Sequence, residues 1–146
     1  MSHTHFLFHI VFATKDRMPL IATEWEPELH GYLSGITKNL GGQTLEINGM
    51  PDHIHIVTQL DLKIGFPDYM RELKASSSKW VRRNHSSKFA WQRRYGAFTV
   101  SESALETVRR YVRNQKKHHL GQSFEDEYKS LLRKHRVEFD EDNLWS

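Results

Sequence analysis

Two histidines separated by one isoleucine, His53-Ile54-His55, follow the turn-forming run Gly49-Met50-Pro51-Asp52 in this 146-residue chain. On a strand, side-chain alternation sends His53 and His55 to one face and Ile54 and Ile56 to the other. Two neutral imidazoles on one face can hold a divalent metal from the same side. The same spacing also serves two histidines merely hydrogen-bonded within a sheet, and the chain repeats it at His3-Thr4-His5. That copy stands at the extreme N-terminus, where fraying works against a preformed site. Two ligands hold an ion poorly, so the metal reading requires a third from elsewhere in the chain.

A helix expected over 103–120 offers one. Tyr111 and Gln115 are four residues apart and therefore neighbours on one helical face, with Asn114 beside them. A phenol next to an amide carbonyl sets a nucleophile beside a neutral oxygen ligand. Tyr111 also borders the apolar stripe of Leu105, Val108 and Val112, where a tyrosine simply packs with a wet hydroxyl. Charge bears on the choice. Arg109, Arg110, Arg113, Lys116 and Lys117, with His118 and His119, crowd around Tyr111, and only Glu106 opposes them on this helix. Like charges over three turns repel one another, so helix stability is a poor explanation, and a polyanion partner is a better one.

A second cluster runs through Lys79, Trp80, Arg82, Arg83, Trp91, Arg93, Arg94 and Tyr95. Aromatics among cations suit unpaired bases that stack while the cations hold the backbone; a solvated helix end with core tryptophans is the alternative. Ser76-Ser77-Ser78 reads as an exposed helical face whose hydroxyls can reach phosphate oxygens. Glu125-Asp126-Glu127 reads as favourable charge at a helix N-terminus and not as a metal site.

The elements that must position these residues follow from hydrophobic periodicity. Residues 3–14 alternate, with Phe6, Phe8, Ile10 and Phe12 on one face and His5, Leu7, His9 and Val11 on the other. A helix follows, with Thr23 and Glu26 at capping-box spacing and Leu29, Leu33, Ile36 and Leu40 as its apolar stripe, ending at Gly41-Gly42. Residues 43–48 and 53–60 form a hairpin, and a helix from Pro67 to about Asn84 carries Met70, Leu73, Trp80 and Val81. A short strand at 98–101 comes next. Ser103 with Glu106 then opens the helix that runs to Gly121, and Phe124, Tyr128, Leu131, Leu132 and His135 mark a terminal amphipathic helix.

The order strand-helix-strand-strand-helix-strand is the split βαβ, or ferredoxin-like, α+β arrangement, with two appended C-terminal helices. Both crossover helices cover one face of the antiparallel sheet. The other face needs a second subunit, the appended helices or nucleic acid. The length fits one domain, 1–146. With no cysteine there is neither a disulfide framework nor a thiolate metal site, and with no long apolar run or signal pattern the cytoplasm is the expected compartment. The net charge of +3 is modest, and its distribution says more than its size.

The segments HFLFHIVFATK, NGMPDHIHIV, LKASSSKW, YGAFTVS, VRRYVRNQKKHH and SFEDEYKSLL resemble, in order and spacing over roughly His5 to Trp145, the IS200-like transposases. These are the single-tyrosine (Y1) branch of the HUH nucleases. The resemblance implies that His53, His55 and Gln115 bind Mg2+ or Mn2+ and that Tyr111 is the nucleophile. It further implies a homodimer, with active sites shared between subunits in some members, acting on hairpins in single-stranded DNA through a 5′-phosphotyrosine. Lys79, Arg82, Arg83, Arg93, Arg94, Arg109, Arg110, Arg113, Lys116 and Lys117 are then the DNA-contacting cations, and the protein is nucleoid-associated when on DNA. Two rival readings are a domesticated binder of DNA or RNA hairpins that does not cut, and a metal hydrolase with no covalent step.

Overall fold

The computed structural model of the chain describes residues 2–145. Its four strands, β1 (Phe6–Ala13), β2 (Gly42–Met50), β3 (His53–Leu60) and β4 (Gly96–Thr99), form one antiparallel sheet in the order β2-β3-β1-β4. Helices α1 (Glu26–Asn39) and α2 (Phe66–Asn84) are the crossovers of the ferredoxin-like arrangement. The appended segment comprises α3 (Leu105–Arg113), the single turn α4 (Gln115–His118) and α5 (Phe124–Lys134).

β3 is hydrogen-bonded on both sides. His55 stands opposite Val11 of β1 and Asn48 of β2; His53 stands opposite Ala13 and Met50. Alternation therefore splits the strands between two cores. Ile10, Phe12, Ile54 and Ile56 pack with Leu29, Leu33, Tyr69, Met70 and Leu73 under α1 and α2. Val11, Ala13 and Phe98 face Phe124, Tyr128 and Leu132 of α5 and Leu144 of the C-terminal segment. The second sheet face is thus covered by the appended helices of the same chain. α5 sits close because Gly96 has no side chain: a Cβ there would come within 2.9 Å of the Tyr128 ring. Gly41, at φ +87°, follows α1 in the left-handed conformation that lets the chain turn into β2.

Several local expectations are corrected. β1 begins at Phe6, so His3-Thr4-His5 precedes the sheet, and His5 Nε2 pairs instead with exposed Glu102 at 2.7 Å. Neither expected capping box forms. Trp25 occupies the position before α1, where it stacks on His85 and meets the Phe89 ring edge-on. Before α3 the chain makes a 3-10 turn over Glu102–Ala104, and Ser103 Oγ lies 3.1 Å from Ser101 Oγ. The helix expected from 103 to 121 is broken at Asn114, whose ψ of 17° ends α3 before α4 begins. Of the three serines, Ser77 is fully buried: it donates to the Leu73 carbonyl and accepts from Trp91 Nε1, so it belongs to the core. Trp91 is likewise core, and Trp80 stacks on Tyr32 at 4.9 Å.

Lys74 of α2 lies near the Phe12 and Tyr95 rings and donates to the carbonyls of Arg93 and Arg94, tying that loop to the helix. Partial burial lowers its pKa to about 8. The unfolded chain then holds more protons between pH 8 and the ordinary lysine value of 10.5, so this group adds stability as pH rises through that window. Comparing thermal unfolding of wild type and Lys74→Met across pH 7–10.5 checks it. The wild type should gain relative to the variant as pH rises, and parallel curves would contradict this account.

Candidate active site

Four side chains from two separate stretches converge on the carboxylate of Glu127, which comes from a third. β3 supplies His53 and His55, α4 and the residue after it supply Gln115 and His119, and α5 supplies Glu127. Glu127 reaches them because Ser123 caps α5 by accepting from the Asp126 amide, which sets the phase of the helix. Phe124, Glu127 and Tyr128 then share the buried stripe, while Asp126 faces solvent. The acidic run is therefore not only helix-terminal charge. Its third member is 1% exposed and points into the histidine face.

The distances describe a compact cluster. Glu127 Oε1 is 3.0 Å from His55 Nε2, 2.9 Å from His119 Nε2 and 3.5 Å from His53 Nε2. Gln115 Oε1 is 3.4 Å from His53 Nε2 and 3.0 Å from His119 Nε2, and the amide of Gln115 donates to Glu127 Oε2 at 3.0 Å. The Tyr111 hydroxyl also donates to Glu127 Oε2. The break at Asn114 thus leaves Tyr111 and Gln115 on one carboxylate, and both belong to the same chain as the histidines.

Each β3 histidine is held from behind. His53 Nδ1 lies 2.7 Å from Asp52 Oδ1, and its ring stacks on Phe124 at 3.7 Å. His55 Nδ1 lies 2.9 Å from His9 Nε2. The outer nitrogens are tied to the fold and both Nε2 atoms face the carboxylate. Ligand atoms of His53, His55, His119 and Glu127 lie within 4.8 Å of one another. A divalent cation fits this donor set: imidazole nitrogens suit transition metals, and a buried carboxylate supplies the opposing charge.

The electrostatics follow from burial and pairing. Burial lowers the His55 pKa to about 4, and burial with the adjacent His55 lowers that of His9, so both rings are neutral near pH 7. Burial alone would raise the Glu127 pKa, but hydrogen bonds from His119 and His55 outweigh it and hold the carboxyl well below the usual range. Glu127 in turn raises His119 against burial. Burial and the bond to Glu127 push the Tyr111 phenol far above its ordinary value, so it is held protonated.

Of the expected DNA-contacting cations, three are occupied. Arg109 and Arg113 meet Glu46 of β2 at 3.4 and 3.0 Å, Arg113 lies 3.9 Å from Glu106, and Lys116 meets Glu26 of α1 at 2.8 Å. Glu106 is therefore not the sole opposing charge. Partners distant in sequence pin the tyrosine segment to the sheet edge, assisted by Asn48 donating to the Arg113 carbonyl. Arg110, Lys117, Lys79, Arg82, Arg83, Arg93 and Arg94 have no carboxylate partner among the described residues. Lys79, Arg82 and Arg83 share one face of α2, and Arg82 donates weakly to the Phe89 carbonyl. Two cavities flank the cluster. One of about 490 Å³ has Tyr111, His9, Val108, Leu131 and Lys134 in its wall; one of about 370 Å³ has His53, His119 and Arg17. Gln122 lines both.

Glu127 and His119 are new as members of the site: the sequence placed Glu127 in helix-terminal charge and His119 in the basic cluster, whereas both stand with His53 and His55. Glu127 stands three residues after Phe124 and one before Tyr128, inside the apolar stripe of the last helix, and an acid at such a position is the signal that could have exposed it. His119 gave no such signal.

Comparison with known proteins agrees with this architecture. The chain is 23% identical over 115 residues to the ISDra2 transposase TnpA of Deinococcus radiodurans, covering 74% of this chain and 82% of that protein. A solved structure described as a candidate transposase from Deinococcus radiodurans superposes with a TM-score of 0.60 at 24% identity, covering 78% of this chain and 93% of that one. The REP-associated tyrosine transposase bound to a REP hairpin superposes with a TM-score of 0.62 at 14% identity, covering 82% of this chain and 73% of that one. Among the described residues no helix is long and apolar enough to cross a membrane. The profile described as "Transposase IS200 like" matches residues 2–115, a span that includes β1 to β4, the histidine pair, Tyr111 and Gln115. By that match the chain belongs to the IS200-like transposase family.

Proposed function

We propose that this transposase cuts and rejoins single-stranded DNA beside a hairpin through a covalent bond between Tyr111 and a 5′ phosphate. The observation that carries the reading is the meeting of the Tyr111 hydroxyl with a buried carboxylate ringed by His55, His119 and Gln115. A phenol used only for packing would not need so costly an acceptor.

In this reading His53, His55 and Gln115, joined by Glu127 and His119, hold the divalent ion. The mixed nitrogen and oxygen donors suit Mn2+ better than Mg2+, which prefers oxygen and water. When bound, the ion supplies Lewis-acid stabilisation of charge on the phosphate oxygens and helps lower the phenol pKa. The chain does the rest. Tyr111, hydrogen-bonded to Glu127 and with its phenol made more acidic, gives up its proton to water as its oxygen forms a bond to phosphorus and the bond to the 3′ oxygen breaks. The 3′ oxygen takes up a proton from water and leaves as a free hydroxyl. The reverse attack, on the same or a new end, rejoins the strand without ATP.

The cations without carboxylate partners hold the DNA backbone, and Arg109, Arg113 and Lys116 exchange their carboxylates for phosphates only at that cost. The two cavities give the nucleotides on either side of the scissile phosphate somewhere to lie. The structure of the REP-associated relative with a REP hairpin supports a hairpin as the recognised feature. The site needs no second subunit to bring Tyr111 to the histidines, so a homodimer enters this reading only as an assembly. The protein would act in the cytoplasm, on the nucleoid.

The test is formation of a denaturation-resistant protein–DNA adduct with a hairpin-bearing single-stranded oligonucleotide and Mn2+. His53→Ala should abolish the adduct, and His5→Ala should leave it unchanged. An adduct that survives His53→Ala but not His5→Ala would show the N-terminal pair to be the working one.

A further inference from the structure

His9 belongs to β1 and is buried, yet it is not one of the clustered ligand residues around Glu127 and, among the described residues, hydrogen-bonds to no carboxylate. Among the described residues its side chain hydrogen-bonds to His55: Nε2 of His9 lies 2.9 Å from Nδ1 of His55, with the two rings stacked at 5.1 Å. His55 is fully buried, so both of its ring nitrogens must be satisfied by protein. Its two partners differ in kind. Nε2 faces the carboxylate of Glu127 at 3.0 Å, and Nδ1 faces only His9.

A neutral imidazole carries one N–H and one lone pair. Facing Glu127 with no cation present, His55 keeps its proton on Nε2, and Nδ1 accepts from His9. To ligate through Nε2, His55 must move that proton to Nδ1, where it needs an acceptor in a place water does not reach. We propose that His9 is the positioning residue that sets the tautomer of His55, donating to its Nδ1 when the site is empty and accepting from it when a divalent ion is bound. This rests on the metal reading above. An imidazole can fill both roles by moving its own proton to its second nitrogen. Lysine could only donate, a carboxylate would only accept, and an aliphatic side chain would do neither. Asp52 treats His53 more simply, since a carboxylate stabilises the Nδ1–H form alone. The pair is thus built asymmetrically, with His53 committed to the ligating tautomer and His55 switched into it.

The experiment measures Mn2+ uptake by calorimetry for the full chain and for His9→Leu, His9→Asn and His9→Gln. Gln can place its amide near the former Nε2 and flip it to donate or accept; Asn is too short to do so. Leu and Asn should weaken Mn2+ binding by about 10–100-fold, whereas Gln should stay within a few-fold of wild type. A merely structural role predicts a loss that follows thermal stability and not this Gln-against-Asn division. A second readout is the long-range 1H–15N spectrum of His55 in wild type, metal-free and with Zn2+ as a diamagnetic probe. The proton should sit on Nε2 without the ion and on Nδ1 with it. Mn2+ affinity in His9→Leu equal to wild type, equal losses in Gln and Asn, or a Zn2+ complex with the proton still on Nε2 would each overturn the role of His9. A wild type that takes up no Mn2+ would instead sink the metal reading itself.

Discussion

Tyr111→Phe should abolish the covalent protein–DNA adduct, a loss of more than about 10³-fold, while hairpin DNA is still bound. The substitution removes one oxygen from a ring that also meets His9, His55 and His118 edge-on, so packing is retained. It also takes one donor from the buried Glu127 carboxylate, whose Oε2 keeps the Gln115 amide, so a stability loss of about 1–3 kcal/mol should accompany the retained fold. Gel analysis under denaturing conditions reads the adduct, and fluorescence anisotropy reads binding. Cutting by Tyr111→Phe at the wild-type rate would remove Tyr111 as nucleophile and favour hydrolysis by the histidine cluster. Binding without cutting by wild type would favour a repurposed hairpin binder.

The second large effect is expected at Glu127. Replacing it with Ala leaves His119, His55, Gln115 and Tyr111 without their shared acceptor, and removing one partner of a buried ionic cluster costs about 3–5 kcal/mol. Chemical denaturation should show that loss for Glu127→Ala and a smaller one for Glu127→Gln, which keeps the shape and an accepting oxygen. Both should weaken Mn2+ binding by about 10–100-fold if the carboxylate stands beside the ion. The pH dependence has a defined sign. A carboxyl held below its ordinary value of 4.5 contributes stability above that pH and loses it as pH falls through its folded value. His55 acts in the same direction: it stays neutral to about 4 in the fold but protonates near 6.5 when unfolded, so acidification favours the unfolded chain. Wild type should therefore lose stability progressively below pH 6.5, and Glu127→Gln should lack the part due to the carboxyl. A flat wild-type profile down to pH 4 would contradict the buried pairing.

Strand order and the facing of His53 and His55 were legible because alternation is a local property, and NGMPDHIHIV carries both the turn and the phase. Tyr111 and Gln115 do meet on one carboxylate, but across the break at Asn114 and not along the continuous helical face from which they were paired. What escaped depended on partners far along the chain. Glu127 sits in a run of three acids that reads as helix-terminal charge until Ser123 sets the phase of α5 and turns one of them inward. The break at Asn114 has no proline or glycine to mark it; it occurs where α3 ends against the β2 edge, held by Asn48 and Glu46. Arg109, Arg113 and Lys116 looked unopposed because the opposing acids, Glu46 and Glu26, come from β2 and α1. Ser77 looked exposed because its partner, Trp91, is fourteen residues on, beyond the end of α2.

The pairing of β3 on both sides divides the site into a stiff half and a compliant one. His53 and His55 ride on a strand that cannot shift without breaking two ladders at once, and such central strands open last. Tyr111, Gln115, His119 and Glu127 ride on short helices joined by turns at Asn114 and at 119–123. Under the proposed reaction, room between the phenol and the imidazoles would come from displacement of the helices, with the histidines as the stationary reference.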